Sequence, residues 1–426
     1  MALEGRATRR SFAKAAVAPL FVPASTLGLA GATPPSDRIV IAGIGMGGRN
    51  SRNVQEFLKQ EDVRVVAVCD LFAERRDRAK QLVDGHYGNS DCAETRLHEE
   101  VLERDDIDAV VIGTGDRWHS VMSSLAAQAG KDAYCEKPFC LTIAEGRQLV
   151  DVTKQYGTVW QCGTQRRSNP GYAFLVNTIL SGRIGQLHTV RLSFGAGGNW
   201  KVNSFARPEE APDPALFDYD RWLGQSPWAP YSKDRVRLWR LNWDTGAGAV
   251  ADMGPHFIET VQWLRGDSLD GPVEYEGLAE YREEGGINTI PYWYEVRARY
   301  KDGLRLHMDT GPKGLRFMGD EGWIFLSDTG GMEARPQSVL AGLDPPDANY
   351  IIQAPHVRDF LDCIRSRRPP ISNPESAQRS HTVAHCANIC LRLGRPVRWD
   401  PREEHFVGDD EANNMMYRAM RPPWRV

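Results

Sequence analysis

Short apolar runs alternate with amphipathic stretches along the first third of the chain. Arg38 to Ala42 is a compact apolar run, Arg49 to Gln60 reads as a helix, and Val63 to Cys69 is a second run. Asp108 to Thr114, a helix over Ser120 to Gly130, the run Asp132 to Cys135 and the strand Thr158 to Cys162 continue the alternation. Strands buried on both faces and separated by helices predict a doubly wound parallel sheet, whose ligands sit at the C-terminal strand ends. The later pattern differs. Leu187 to Phe194, Trp293 to Tyr300, Leu304 to Asp309 and Trp323 to Leu326 read as strands, and His356 to Arg365 and Glu375 to Leu393 as helices. The expected architecture is α/β throughout, with a first domain over 33–163 and a second over 164–426. Ala206 to Pro230 reads as a long substrate-side loop.

Residues 1–32 do not fit either domain. Arg9 and Arg10 stand before Ser11, Phe12 and Lys14; Ala15 to Leu29 is mildly apolar, and Ala30-Gly31-Ala32 is a small-residue cleavage pattern. That layout predicts a twin-arginine export signal and a periplasmic or otherwise exported protein, the plain alternative being a frayed basic terminus. Beyond residue 40 no apolar run approaches the ~20 residues of a membrane span, so no membrane insertion is expected once the signal is removed. Lys plus Arg is 52 against 56 for Asp plus Glu, a net charge of -4, which gives a nucleic acid nothing to bind. The eight cysteines form no C-x-x-C pair, and no disulfide framework is indicated.

Chemistry enters between the first two strands. Gly43, Gly45 and Gly48, with Met46 and Gly47 between them, form a G-x-G-x-x-G that joins strand to helix. Gly43 permits a tight turn, Gly45 lets backbone approach a pyrophosphate, Gly48 allows close helix packing, and the helix N-terminus offers amides to phosphate. Asp70 closes the second strand, where a carboxylate binds ribose hydroxyls and disfavours a ribose phosphate. The cofactor expected is NAD, with NADP less favoured, although Arg75 and Arg76 stand nearby. Thr114, His119, Glu136 and Lys137 fall at the remaining strand ends.

At Glu136-Lys137-Pro138 the chain resembles the glucose–fructose oxidoreductase / inositol dehydrogenase / MocA family. The resemblance also runs through Gly43 to Gly48, Thr114 to His119, and the stretch Gly246 to His256 that holds Asp252 and His256 in D-x-x-x-H spacing. Arg395 to Asp400 and Gly408 to Asn413 look like the exported bacterial branch. It implies a Rossmann domain followed by an α/β domain with a large open, mostly antiparallel sheet that commonly makes subunit contacts, hence a homo-oligomer. It further implies that Lys137, Asp252 and His256 carry the chemistry. One departure stands out, Gly115 where proline is common.

Oxidising a sugar alcohol needs a base for the hydroxyl proton, and histidine titrates near neutrality. A lysine beside the hydroxyl stabilises developing alkoxide. Lys137 is therefore assigned as polariser and His256 as general base or acid. Asp252, one helical turn away, orients it and binds substrate. Pro255 suits the first turn of a helix running to Leu264. Gln165, Arg166 and Arg167 either reach substrate hydroxyls or form a solvated turn; Trp200, Arg240 or Trp243 offers a sugar platform. His119 packs under the cofactor. His381, His385, Cys386 and Cys390 mimic a metal site by spacing, but an ordinary helix explains them and no metal is expected.

Three functions remain open. The first is an exported oxidoreductase acting on a ring hydroxyl of a sugar, polyol or glycoside, with its cofactor held tightly because no nicotinamide pool exists outside the cytoplasm. The second is a redox-neutral glycosidase or lyase, in which transient oxidation acidifies the adjacent C–H, the glycosidic bond breaks by elimination, water adds and hydride returns. The third is a sugar-binding protein without catalysis.

Overall fold

The computed structural model describes residues 37–195, 205, 207–266, 270–346, 348 and 354–424, so the export segment and Trp200 lie outside the described residues. The first half alternates β1 (Ile39–Ile44), α1 (Gly48–Leu58), β2 (Val63–Cys69), α2 (Ala73–Tyr87), β3 (Ala93–Thr95), α3 (His98–Leu102), β4 (Ala109–Ile112), α4 (Asp116–Gln128), β5 (Asp132–Cys135), α5 (Ile143–Tyr156) and β6 (Trp160–Cys162). Its six strands are parallel, in the order β3-β2-β1-β4-β5-β6. The order reverses direction between β1 and β4, which opens a crevice at their C-terminal ends.

The second half contains α6 (Pro170–Leu180), β7 (Leu187–Ser193), α7 (Tyr219–Leu223), α8 (Lys233–Arg237), α9 (Ala249–Leu264) and β8 (Pro272–Glu280). There follow β9 (Trp293–Tyr300), β10 (Arg305–Asp309), β11 (Gly314–Gly319), β12 (Trp323–Ser327), β13 (Met332–Arg335), α10 (Ala354–Ser366), α11 (Pro374–Leu393), β14 (Val397–Asp400), β15 (His405–Phe406) and α12 (Asp410–Asn414). Nine strands form one sheet, β13-β12-β11-β7-β10-β9-β8-β14-β15, in which only β7 and β10 run parallel. Burial alternates along β9: Tyr294, Val296, Ala298 and Tyr300 point into a core shared with Phe257 and Ile389, while Arg297 and Arg299 face out. The outward face is charged, with Arg299 on Glu274 at 2.7 Å and Arg191 on Asp309 at 2.6 Å.

Two helices start earlier than their sequences suggest. Helix α4 begins at Asp116, not Ser120, because Gly115 already serves as its N-cap. Helix α9 begins at Ala249, so Pro255 lies inside it rather than in the first turn. Ala249, Val250 and Ala251 are fully buried, and Asn388 Oδ1 accepts from Val250 N at 3.2 Å. Core packing and that cap outweigh the lost N–H of one proline.

The glycine turn also differs in detail. Gly45 has φ +79, and a Cβ there would sit 2.7 Å from the Thr114 backbone, so contact with β4 fixes it. A Cβ at Gly48 would meet nothing within 4 Å, so this residue does not serve close packing. The tight approach is made instead by Gly113, where a Cβ would stand 2.5 Å from that of Asn50. Asn50 in turn donates to Ile44 O at 3.1 Å and Val111 O at 2.9 Å, tying both strand ends to α1. Gly113→Ala should therefore destabilise the protein by about 1–3 kcal/mol through overpacking. Urea unfolding with an unchanged m-value would show it, and an unchanged midpoint would refute the packing argument.

Candidate functional site

A cleft of about 300 Å³ opens at the β1/β4 crevice, lined by Gly45, Gly47, Gly48, Asp70 and Thr114. Helix α1 has Gly47 as N-cap with no side-chain cap and no acidic residue in its first turn. Added Cβ atoms at Gly47 and Gly48 would point into open space, with only Arg75 Nη1 at 3.8 Å from the former. Uncapped amides beside a side-chain-free wall are what a pyrophosphate requires. Asp70 is buried at 6 % exposure, and its Oδ1 accepts from Phe72 N at 2.9 Å. Burial raises its pKa, while Arg75 and the Phe72 and Met46 amides oppose the rise. Met46 and Gly43 are not among the lining residues; the Met46 side chain packs in the core.

The described part of the long loop borders the cleft. Phe217 stacks on Phe72 with centroids 3.9 Å apart, Trp222 lines the cleft, and Trp239 and Arg240 beyond the loop line it too. The Gly115 departure explains how this cover is held. A Cβ at Gly115 would stand 2.6 Å from Arg117 Nη1, so glycine makes room for a buried arginine. Arg117 Nε donates to Trp222 O at 2.6 Å, Nη2 donates to the same oxygen, and the guanidinium lies 4.0 Å from the Trp222 ring centroid. Residues 418–424 strap the cover from outside. Arg418 lies 3.9 Å over Trp243, Arg421 Nε donates to Gly224 O at 3.1 Å, and Trp424 packs edge-on to Trp118 at 5.5 Å.

Beyond the cleft, the two halves meet at Lys137. Its Nζ donates to Asp252 O at 2.5 Å and lies 3.6 Å from Asp252 Oδ1. Arg240 Nε approaches the same carboxylate at 3.7 Å. Burial works against the Asp252 charge, yet Lys137 and Arg240 outweigh it and hold the pKa below the usual carboxylate range. His256 is buried at 8 % exposure, and its Nδ1 has no hydrogen-bond partner among the described residues. Burial, with the charges of Arg166, Lys137 and Arg49, pushes its pKa well below 6.5, so the imidazole is neutral. No Asp252–His256 hydrogen bond forms among the described residues; the carboxylate turns to the two cations instead of orienting the imidazole.

Other sequence candidates take supporting places. Glu136 is buried away from the cleft, with its Oε1 accepting from Arg49 Nε at 2.9 Å, Asn53 at 3.0 Å and Gln165 at 2.9 Å. Gln165 thus braces Glu136 rather than facing a substrate. Arg166 is buried against Asp328, Tyr172 and the Phe257 ring, and Arg167 lies 4.9 Å from the Trp263 ring. Both are drawn inward because the 3-10 turn carrying them is buried between α6 and α9. The Trp243 ring is engaged by two guanidinium groups, Arg392 at 4.4 Å and Arg418 at 3.9 Å from its centroid. His119 Nδ1 bonds Pro138 O at 2.7 Å and steadies the turn after Lys137. His381 and His385 are buried on α11, bonded to Ala377 O at 2.7 Å and Cys140 Sγ at 3.5 Å.

Burial pushes the imidazoles of His119 and His356 down to about 4 and that of His381 to about 3. Unfolded, each protonates near 6.5, so native stability is lost as pH falls from about 6.5 toward 4. Asp116 and Glu145, pushed up to about 6 by burial, act in the opposite direction over a similar window. The histidines, joined by His256 and His385 with the same direction of shift, outweigh them. The melting temperature should fall steadily between pH 6.5 and 4; a rise over that interval in a thermal-denaturation series would contradict the assignment of neutral buried histidines.

Comparison with known proteins fits this geometry. Residues 38–164 match the oxidoreductase family's NAD-binding Rossmann fold, and residues 174–426 match that family's C-terminal alpha/beta domain. An uncharacterized oxidoreductase of Bacillus subtilis, YrbE, is 26% identical over 389 residues, 86% of this chain and 98% of that protein. An alpha-N-acetylgalactosaminidase of Shewanella oneidensis is 32% identical over 175 residues, 39% of this chain and only 37% of its own length. The crystal structure of an aldose-aldose oxidoreductase from Caulobacter crescentus, complexed with glycerol, shares the fold with a TM-score of 0.63 at 18% identity, covering 85% of this chain and 99% of that one.

Proposed function

The chain belongs to the Gfo/Idh/MocA oxidoreductase family, and on that premise we propose that it transfers hydride to or from a ring hydroxyl of a sugar, polyol or glycoside, using a tightly held nicotinamide cofactor. The observation that carries this reading is the Lys137–Asp252 pair, with a neutral, buried His256 one helical turn on, in a chain whose glycine-lined cleft holds Asp70 and Thr114. NAD, when bound, supplies the hydride acceptor. The amides of Gly47 and Gly48 at the start of α1 would hold its pyrophosphate, and Asp70 its ribose, with Thr114 at the strand end beside them. The Asp70 carboxylate favours NAD over NADP.

Lys137 donates a hydrogen bond to the reacting oxygen and stabilises negative charge there as the proton leaves. His256, neutral in this environment, is the acceptor proposed for that proton, and the burial and cations that keep it neutral also make it a weak base. Asp252 holds Lys137 in place and offers an acceptor to a neighbouring hydroxyl. The cover fastened by Arg117 and strapped by Arg421 and Trp424 supports slow cofactor release, which suits a protein exported through the twin-arginine signal read at Arg9 and Arg10. The charged outer face of the nine-stranded sheet offers the surface for a homo-oligomer; light scattering returning a monomer mass would reject that contact.

A second reading has its own support, the similarity to the Shewanella galactosaminidase. The same hydride step would then be transient, His256 or a partner base would take the acidified ring proton, and the aglycone would leave by elimination. Release of aglycone without net cofactor reduction selects this reading.

The test begins with protein purified without added nucleotide. Denaturation should release NAD at close to one equivalent, and sugars added to fresh protein should raise absorbance at the reduced-nicotinamide band. Lys137→Ala should keep the nucleotide and lower the reduction rate by roughly 10²–10⁴-fold. Undiminished turnover in that variant removes Lys137 from the mechanism. A double change of Arg421→Ala and Trp424→Ala should let NAD wash out on dialysis; retention would show that the strap does not control release.

A further inference from the structure

We infer that Asp116 is a positioning residue that sets the Lys137–Asp252–His256 group against the cofactor cleft by holding the Ala247 peptide at the entrance to α9. The inference rests on the oxidoreductase reading for its consequence, but its geometry is independent of it.

The turn Thr245–Gly248 leads directly into α9. It has little freedom of its own: a Cβ at Gly246 would meet Arg240 O at 2.8 Å, and Gly248 has φ +94 with Asn388 Nδ2 at 2.7 Å from an added Cβ. Between these glycines Ala247 is buried at 1 % exposure, and its peptide groups are gripped from both sides. Its N–H donates to Asp116 Oδ2 at 3.1 Å, and its carbonyl accepts from Asn388 Nδ2 at 3.0 Å. Asn388 comes from α11 in the same half. Asp116 comes from the first turn of α4, two residues after Thr114 in the cofactor cleft.

Helix α9 is therefore moored to the Rossmann half at two points five residues apart. Asp116 takes the N–H of Ala247, and Lys137 gives a hydrogen bond to the carbonyl of Asp252. Asp116 is 2 % exposed, with no ion pair within 4.0 Å among the described residues. A carboxylate so placed is costly unless its hydrogen bond is worth keeping; the α4 N-terminus offsets part of that cost. The surrounding charges are Arg240 and Lys137, which favour ionisation, and Asp252, which opposes it. A hydride passes between a cofactor held by one half and a substrate held by the other, and a 1 Å misplacement there costs on the order of 10²-fold. The Asp116–Ala247 bond fixes that separation.

The experiment compares Asp116→Ala and Asp116→Asn in the full chain with bound NAD. Hydrogen exchange is read on peptides spanning 245–256, NAD affinity by tryptophan quenching, and the single-turnover reduction rate with any sugar that reduces the wild-type protein. In Asp116→Ala the exchange of this segment should rise about tenfold, the loss of one hydrogen bond, and the reduction rate should fall roughly 10²-fold, with NAD affinity nearly unchanged. Asp116→Asn should restore protection and rate, since the carboxamide oxygen accepts the same N–H. Loss of protection and rate in Asp116→Asn would overturn the inference, as would unchanged exchange in Asp116→Ala. If Asp116→Ala does not fold, Asp116→Asn decides alone. If no sugar reduces the wild type, the oxidoreductase reading fails, and the exchange data still decide the tether.

Discussion

Burying charge where two half-structures meet is the constraint to which the other features answer. Lys137 cannot leave water without partners, and it finds both in Asp252, one through the backbone carbonyl and one through the carboxylate. That pairing fixes which face of α9 turns toward the parallel sheet. It also bears on His256, whose buried imidazole stays neutral first through burial and then through the nearby cations. Glu136, next in the chain, repeats the arrangement on the other side by engaging Arg49 and Asn53 of α1. Two consecutive residues at one strand end thus anchor α1 and α9.

The parallel sheet was legible because its signals are local: short apolar runs, glycines at a strand end, an acidic residue closing the next strand. The large antiparallel sheet was legible in kind, through the alternation in stretches such as Trp293 to Tyr300 and through the family resemblance. What could not be read were side-chain destinations. Gln165, Arg166 and Arg167 look like a polar turn awaiting a ligand, yet tertiary contacts bury all three. Trp243 reads as a sugar platform, and its contacts with Arg392 and Arg418, both distant in sequence, could not be foreseen. Asp116 and Asn388 carry no sequence mark, since their meaning depends on Ala247 lying between them.

The departure at Gly115 was the one local irregularity that pointed to something real. Its cause is the Arg117 side chain folding back over the glycine, and its effect is to fasten a segment a hundred residues away. A missing Cβ in one half therefore determines how the other half lies over the cofactor cleft.

Helix α10 has a consequence of a different kind. Val357, Phe360, Leu361 and Cys363 share a core with Phe57 of α1 and with Val65 and Tyr134 of the parallel sheet. The nucleotide-binding half is therefore unfinished until a segment nearly two hundred residues beyond its last strand returns to cover it. Excised at residue 164, that half would present an apolar face to water and tend to aggregate. The boundary between the two family descriptions marks a change of architecture, while the unit that folds cooperatively spans both, with the high contact order and slow assembly that such a return implies.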